Sequence, residues 1–212
     1  MKKTLSKKQT ETVLELLESM HPEASCALDF KDNFQLICAV ALSAQTTDVS
    51  VNKVTPDLFK KYPTPKAMAE ADPSDIEEII RSIGFYRNKS RNLIMMSQML
   101  EEEYGGEVPS EMKELVKLPG VGRKTANVVM AEAFGLPAIA VDTHVFRVSN
   151  RIGLTDGKDP DEVEMQLKKK IPKESWSRAH HLLIFHGRKI CHARKPECDN
   201  CELFGICLKR NV

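Results

Sequence analysis

Apolar residues in this chain recur three and four positions apart almost from end to end, the period of a helix buried on one face. Val13, Leu16, Leu17 and Met20 share such a face, as do Ile76, Ile79, Ile80 and Ile83, and then Leu93, Met96, Met99 and Leu100. Sustained alternation, the mark of a half-buried strand, is missing; only Ala138 to Val141 reads as β-like, and coming after Pro137 it is taken as a connection. The chain is therefore expected to be all-α, with short loops at 63–65, 104–109, 135–137 and 153–160, where Gly and Pro interrupt the pattern. A length of 212 residues suits one large domain or two small ones with an active site between them.

Several classes are excluded by composition. With 42% hydrophobic and 29% charged residues the chain is an ordinary globular protein, not a disordered or fibrous one. Met1 to Lys8 is basic like the start of a signal peptide, but Glu11, Glu15 and Glu18 occupy the stretch that a secretion signal would keep apolar. The longest uncharged run, Asn33 to Thr47, falls short of the roughly 20 apolar residues of a membrane span, so no membrane partner and a cytoplasmic location are expected. A net charge of +1 rules out a uniformly basic surface, leaving nucleic-acid binding to local patches and main-chain groups. Arg81, Arg87, Lys89 and Arg91 form one acid-free stretch; by itself such a run reads as a solvated helix face.

One segment carries more specific chemistry. Ser110 is expected to cap a short helix with Met112, Leu115 and Val116 inward, stopping at Pro119. A turn containing Gly120 and Gly122 follows, then a second helix with Ala126, Val129, Met130 and Ala133 inward, ending at Gly135. Glycines at a helix start let main-chain N–H groups approach an anion such as a nucleic-acid phosphate; a plain tight turn fits the spacing equally well. A nucleotide P-loop is excluded, because Arg123 stands where that motif has Gly before its Lys. Lys124 falls in the first helical turn, where the dipole, and partial burial if present, lower the pKa of an amine and free it for attack; a lone helical lysine is equally a solvated charge.

Cys191, Cys198, Cys201 and Cys207 give the spacing C-x6-C-x2-C-x5-C, which implies a bound metal centre. Disulfides are unexpected without a secretion signal, and spacing alone leaves structural zinc and a [4Fe–4S] cluster level. Arg194 and Lys195, with Arg188 and Lys189, are basic residues able to grip phosphates. His180, His181 and His186 are read as packing or hydrogen-bonding histidines, and Cys26 and Cys38 as buried small hydrophobes.

Three motifs in order carry a family likeness: LPGVGRKTANVV at 118–129, AVDTHV at 140–145 and the four-cysteine segment. Together they resemble the endonuclease III family of helix–hairpin–helix DNA glycosylases, over nearly the whole chain from LSAQTTD at 42–48 to Cys207. The resemblance implies two helical domains: a six-helix barrel over 26–136 containing the helix–hairpin–helix, and a cluster domain of 1–25 plus 137–212, with the active site in the cleft between them. It implies one [4Fe–4S] cluster on the four cysteines, with a structural role. Lys124 matches the family's nucleophile and Asp142 its facing carboxylate; Asp142 also reads as a helix N-cap.

By the same resemblance the chain is a bifunctional base-excision-repair enzyme, a DNA N-glycosylase and abasic-site lyase acting as a bacterial, nucleoid-associated monomer. Its partner is double-stranded DNA bearing oxidised pyrimidines or abasic sites. The hairpin residues Leu118, Gly120, Gly122 and Arg123 and the basic pair Arg194 and Lys195 are expected to contact DNA, with Gln45 and Phe85 entering the duplex. Phe85 stands where an aliphatic wedge is more usual, and as a residue it could equally be a core aromatic. Ser43 and Asp48 match a polar pair near the family's pocket, although both residue types also cap helices. Two other classes compete on the residues alone. A non-catalytic helix–hairpin–helix DNA-binding module explains the glycines but not Lys124 and Asp142, and an iron–sulfur electron carrier explains the cysteines but not the hairpin.

Overall fold

The structure, a computed structural model, describes residues 4–210; Met1, Lys2 and Lys3 of the basic N-terminal stretch lie outside the described residues. Eleven α-helices and no strand occur among those residues: α1 (Lys7–Met20), α2 (Asn33–Leu42), α3 (Asp48–Lys61), α4 (Pro65–Ala69), α5 (Pro73–Ile79), α6 (Tyr86–Tyr104), α7 (Met112–Leu115), α8 (Arg123–Phe134), α9 (Thr143–Ile152), α10 (Pro160–Lys170) and α11 (Trp176–Lys189). The helices begin where short polar side chains can accept main-chain N–H groups. Ser6 and Gln9 form a reciprocal capping box on α1, and Asp32, Thr47, Thr64, Asp72, Asp142 and Asp159 cap α2, α3, α4, α5, α9 and α10. Left-handed glycines at 105, 135 and 153 end α6, α8 and α9. No helix among the described residues is long and apolar enough to cross a membrane.

The chain divides into two compact units, Ala27–Leu136, and Met1–Cys26 with Pro137–Val212. Cys26 groups with the terminal segments and is half-buried, in place of the full burial expected for it, whereas Cys38 is fully buried. The unit Ala27–Leu136 holds α2 to α8. Its central helix is α2, apolar all round and buried from Phe34 to Val40; it packs against α3, α6 and α8, which explains why no polar face was left on it. α4 and α5 lie along α6.

In the other unit α9 and α11 pack face to face, with α1 against α11 and α10 against α9. Val13, Leu17, Val145, Val148, Ile152, Leu167, Leu182 and Leu183 form its core, joined from the cysteine segment by Leu203. Arg178 on α11 closes the end of α1: its guanidinium forms a two-pronged ion pair with Glu18, at 2.6 and 2.7 Å, and donates to the carbonyls of His21, Pro22 and Ala24. The His21 carbonyl also accepts the N–H of Ala24, whereas Pro22 and Ala24 lie beyond the end of the helix.

The helix before the glycine turn differs from its reading. Glu111, not Ser110, occupies the N-cap of α7, without a side-chain cap bond, and the helix stops at Leu115, well before Pro119. The next residues tighten into i→i−3 bonds, Lys117 N to Glu114 O and Leu118 N to Leu115 O, and this turns Val116 outward to 43% exposure. On α8, Ala126 and Val129 are buried as expected, while Met130 and Ala133 are half-buried.

Candidate active site

The hairpin between α7 and α8 is built around two glycines with different jobs. Gly120 has φ +80°, a left-handed value that other residues adopt only with strain, and a Cβ there would stand 3.1 Å from both Cβ and Nδ2 of Asn92 on α6. Gly122 is the N-cap of α8 in extended conformation, with open space where a Cβ would be, and no side chain caps the helix's first turn. The first is needed for the close approach of two chain segments, and the second leaves a bare helix start facing solvent. Leu118 is only 2% exposed, so its side chain belongs to the core, and its main-chain N–H and C=O bond to Leu115 and Val121.

Arg123 and Lys124 are the first two residues of α8, and both are exposed; Lys124 lacks the partial burial that was entertained for it. Lys124 belongs to the unit Ala27–Leu136 and Asp142 to the terminal unit. Asp142 is half-buried at the N-cap of α9, where its Oδ1 accepts the N–H of Val145 at 2.8 Å. The stretch before it, Ala138 to Val141, is buried yet forms no strand. Side chains of α11 meet its carbonyls instead: His180 Nδ1 lies 2.8 Å from Ala140 O, and the Ser177 hydroxyl donates to Ala138 O at 3.3 Å. A buried non-helical segment with satisfied carbonyls is a stiff support for the side chain that follows.

Gln45, Phe85 and Gly120 line one cavity of about 240 Å³ inside the unit Ala27–Leu136; Lys124, Ser43 and Asp48 do not contribute to its lining. Phe85 is 65% exposed, which overturns a core role for it. Gln45 and Phe85 both hold left-handed backbone, with φ 53° and 58°. Ser43 ends α2 and donates to Val40 O at 2.8 Å; Asp48 is the first residue of α3, whose cap is Thr47.

The family model for "HhH-GPD superfamily base excision DNA repair protein" matches residues 38–173. Endonuclease III of Bacillus subtilis (strain 168) is 52% identical over 204 residues, covering 96% of this chain and 93% of that protein. The chain belongs to the endonuclease III family. A solved structure of a trapped covalent endonuclease III–DNA intermediate superposes with a TM-score of 0.93 at 51% identity, over 97% of each chain. A thermostable thymine-DNA glycosylase matches at 25% identity with a TM-score of 0.85, over 95% of this chain and 96% of that one.

The cysteine segment of this endonuclease III family member surrounds a cavity of about 30 Å³ to which Cys191, Cys198, Cys201 and Cys207 all contribute, together with Arg151 and His186. Among the described residues no three His, Cys, Asp or Glu side chains are gathered closely enough to hold a single metal ion. Arg151, which sequence reading passed over, reaches Cys191 Sγ at 3.7 Å and donates to the carbonyls of His192 and Ala193, while Arg147 donates to Cys191 O and Gly187 O. Burial pushes the thiols of Cys201 and Cys207 up, against the pull of nearby main-chain N–H groups; the N–H of Lys209 lies 3.4 Å from Cys207 Sγ.

His186 is buried, with Nδ1 3.2 Å from His21 Nε2 and Nε2 3.7 Å from Cys201 Sγ, and burial pulls its pKa down to about 4. Arg194 and Lys195 are exposed, whereas Lys189 is held by Glu23. Lys89 departs most from its reading: it turns inward to 8% exposure and donates to Thr46 Oγ1 at 2.7 Å, and burial lowers its pKa.

Proposed function

We propose that this chain is a bifunctional DNA glycosylase and abasic-site lyase of base-excision repair, acting on oxidised pyrimidines in duplex DNA with Lys124 as nucleophile and Asp142 as its carboxylate partner. The observation that carries this reading is an exposed lysine in the first turn of a helix–hairpin–helix, in a chain 51% identical to a protein solved as a covalent DNA intermediate. The uncapped start of α8 at Gly122 and Arg123 supports main-chain binding of a DNA phosphate. Exposed Arg194 and Lys195 supply further phosphate contacts. Gln45 and Phe85 fill the space left when the damaged nucleotide turns out of the stack, and Ser43 and Asp48 stand near the extruded base.

Once the nucleotide is extruded, the neutral amine of Lys124 attacks C1′, the bond from C1′ to the base breaks, and the base leaves with a proton. Asp142 stabilises the positive charge that develops on the sugar and assists proton transfer as the ring opens to a protonated imine. Loss of a proton from C2′ then expels the 3′ phosphate by β-elimination, and water releases Lys124. A non-catalytic DNA-binding module gives Lys124 and Asp142 no such role. The substrate sets the place of action as the cytoplasm, on nucleoid DNA, and the chain works as a monomer.

Residues 26–136 are assigned as the six-helix barrel domain and 1–25 with 137–212 as the cluster domain. The latter suits one [4Fe–4S] cluster on Cys191, Cys198, Cys201 and Cys207. Four thiols line one cavity, a donor set that suits either such a cluster or structural zinc, and membership of the endonuclease III family favours the cluster. The cationic Arg151 beside Cys191 Sγ suits a set of thiolates. When bound, the cluster supplies four iron–thiolate bonds that fix the 191–207 segment.

Borohydride reduction of a mixture with duplex DNA bearing an abasic site or thymine glycol tests the reading. A covalent adduct with the wild type that vanishes in Lys124→Ala is the expected result. Base removal without any adduct from the wild type would overturn the lyase assignment.

A further inference from the structure

We propose that Lys89 is a positioning residue that ties Gln45 to Phe85, so that the two side chains enter the duplex as one preset pair. The proposal rests on the reading that this chain extrudes a damaged nucleotide. Two side-chain hydrogen bonds make the tie, added to the ordinary helical bond by which the Lys89 N–H opens α6 on Phe85 O. The N–H of Lys89 donates to Phe85 O at 3.0 Å, Lys89 Nζ donates to Thr46 Oγ1 at 2.7 Å, and the Thr46 hydroxyl donates on to Ala44 O at 3.4 Å. The bonds thus run from Phe85 to both neighbours of Gln45, and Gln45, Phe85 and Lys89 all line the same cavity of about 240 Å³.

Two observations separate this arrangement from ordinary packing. Gln45 and Phe85 both sit in left-handed backbone, which non-glycine residues keep only where surrounding structure holds them there, and such strain gathers at functional sites. The cation itself is expensive. An ammonium drawn in to 8% exposure gives up much of its hydration, so a methionine of similar length should be no less stable at the same position. Its residence at the start of α6, where the helix dipole opposes a positive charge, adds to the cost. A group kept against stability on two counts, between the two residues proposed to enter DNA, is kept for their placement.

The test compares wild type with Lys89→Met, Thr46→Val, the double variant and Thr46→Ser, measuring melting temperature, excision of thymine glycol from duplex, and borohydride trapping on single-stranded DNA with a preformed abasic site. The last substrate needs no extrusion. Lys89→Met is expected to melt no lower than wild type yet to lose at least about tenfold in duplex excision, because small misplacements of groups that must act together are costly. The double variant, an apolar pair, keeps its melting temperature and stays slow on duplex. Thr46→Ser, which keeps the hydroxyl, retains the duplex rate, and all variants trap on single strands at the wild-type rate. In the Lys89→Met background the effect of Gln45→Ala shrinks, since coupled residues are not additive. Duplex excision by the double variant within about twofold of wild type, or an equal loss on both substrates, overturns the positioning role while leaving the enzyme assignment intact. A wild type that neither excises nor traps overturns that assignment, and this inference with it.

Discussion

Asp142 Oδ1 accepts the N–H of Val145 at 2.8 Å, so the carboxylate proposed to act on the sugar is also the group that starts α9. The two duties separate by substitution. Asn caps a helix as well as Asp does, so Asp142→Asn should leave thermal stability nearly unchanged while base excision falls steeply. Asp142→Ala should lose the cap as well, at about 1 kcal/mol, read as a lower denaturation midpoint.

The hairpin glycines should respond in opposite ways. Gly120→Ala puts a Cβ against Asn92 in a left-handed conformation, and a loss of about 1–3 kcal/mol in unfolding free energy is expected. Gly122→Ala meets open space and should unfold like wild type, yet bind duplex DNA more weakly if a phosphate approaches the bare start of α8. Denaturant titration and a DNA-binding isotherm on each variant decide this, and equal binding by Gly122→Ala would remove the hairpin from the interface.

Arg178 should matter more to stability than its ion-pair partner. Removing the guanidinium in Arg178→Ala takes the side-chain donor from the carbonyls of Pro22 and Ala24 and one of two donors from that of His21, at about 2–3 kcal/mol. Glu18 is half-exposed, so Glu18→Gln should cost no more than about 1 kcal/mol. Hydrogen bonding to Arg178 holds the Glu18 carboxyl below its ordinary value of 4.5. The unfolded chain therefore takes up that proton first. The contribution is complete above about pH 4.5 and is lost as pH falls through the folded value, so the gap between wild type and Glu18→Gln should close in acid.

Cluster binding has an analytical signature. Protein purified without oxygen should contain about four iron and four sulfide per chain, and Cys207→Ser should lose both together with visible absorbance. Because Leu203 lies in the core beside these ligands and Ile206 packs against it, cluster loss should also lower the melting temperature. Zinc in place of iron would replace the cluster assignment with a structural zinc site.

The all-α class was legible because helical spacing is written into nearly every segment, and α2 stands out as apolar on all sides. The hairpin was legible from Gly120 and Gly122, although the four-residue α7 was not: its end is set by i→i−3 bonds and not by the proline that followed. Lys89 was read as part of a solvated basic run, since burial of a cation depends on a distant acceptor, Thr46, which spacing along one helix cannot reveal. Arg151 was hidden for the same reason, meeting main-chain carbonyls about forty residues away, whereas His180, read as a packing or hydrogen-bonding histidine, lies against Ala140 O. Phe85 kept two readings until its exposure removed the core one.

The chain leaves and re-enters the unit that contains α1, and this bears on its synthesis. Every helix of Ala27–Leu136 can find its partners while the remainder is still being translated, whereas Val13 and Leu17 must wait for α9 and α11. At roughly 5–20 residues per second that delay is about 10–30 s, during which an amphipathic N-terminal helix is without its apolar cover. Trigger-type chaperones that shield nascent apolar surface should therefore engage α1 early and release it only after Lys189 has emerged, and moving α1 to the C-terminus by circular permutation should shorten that dependence.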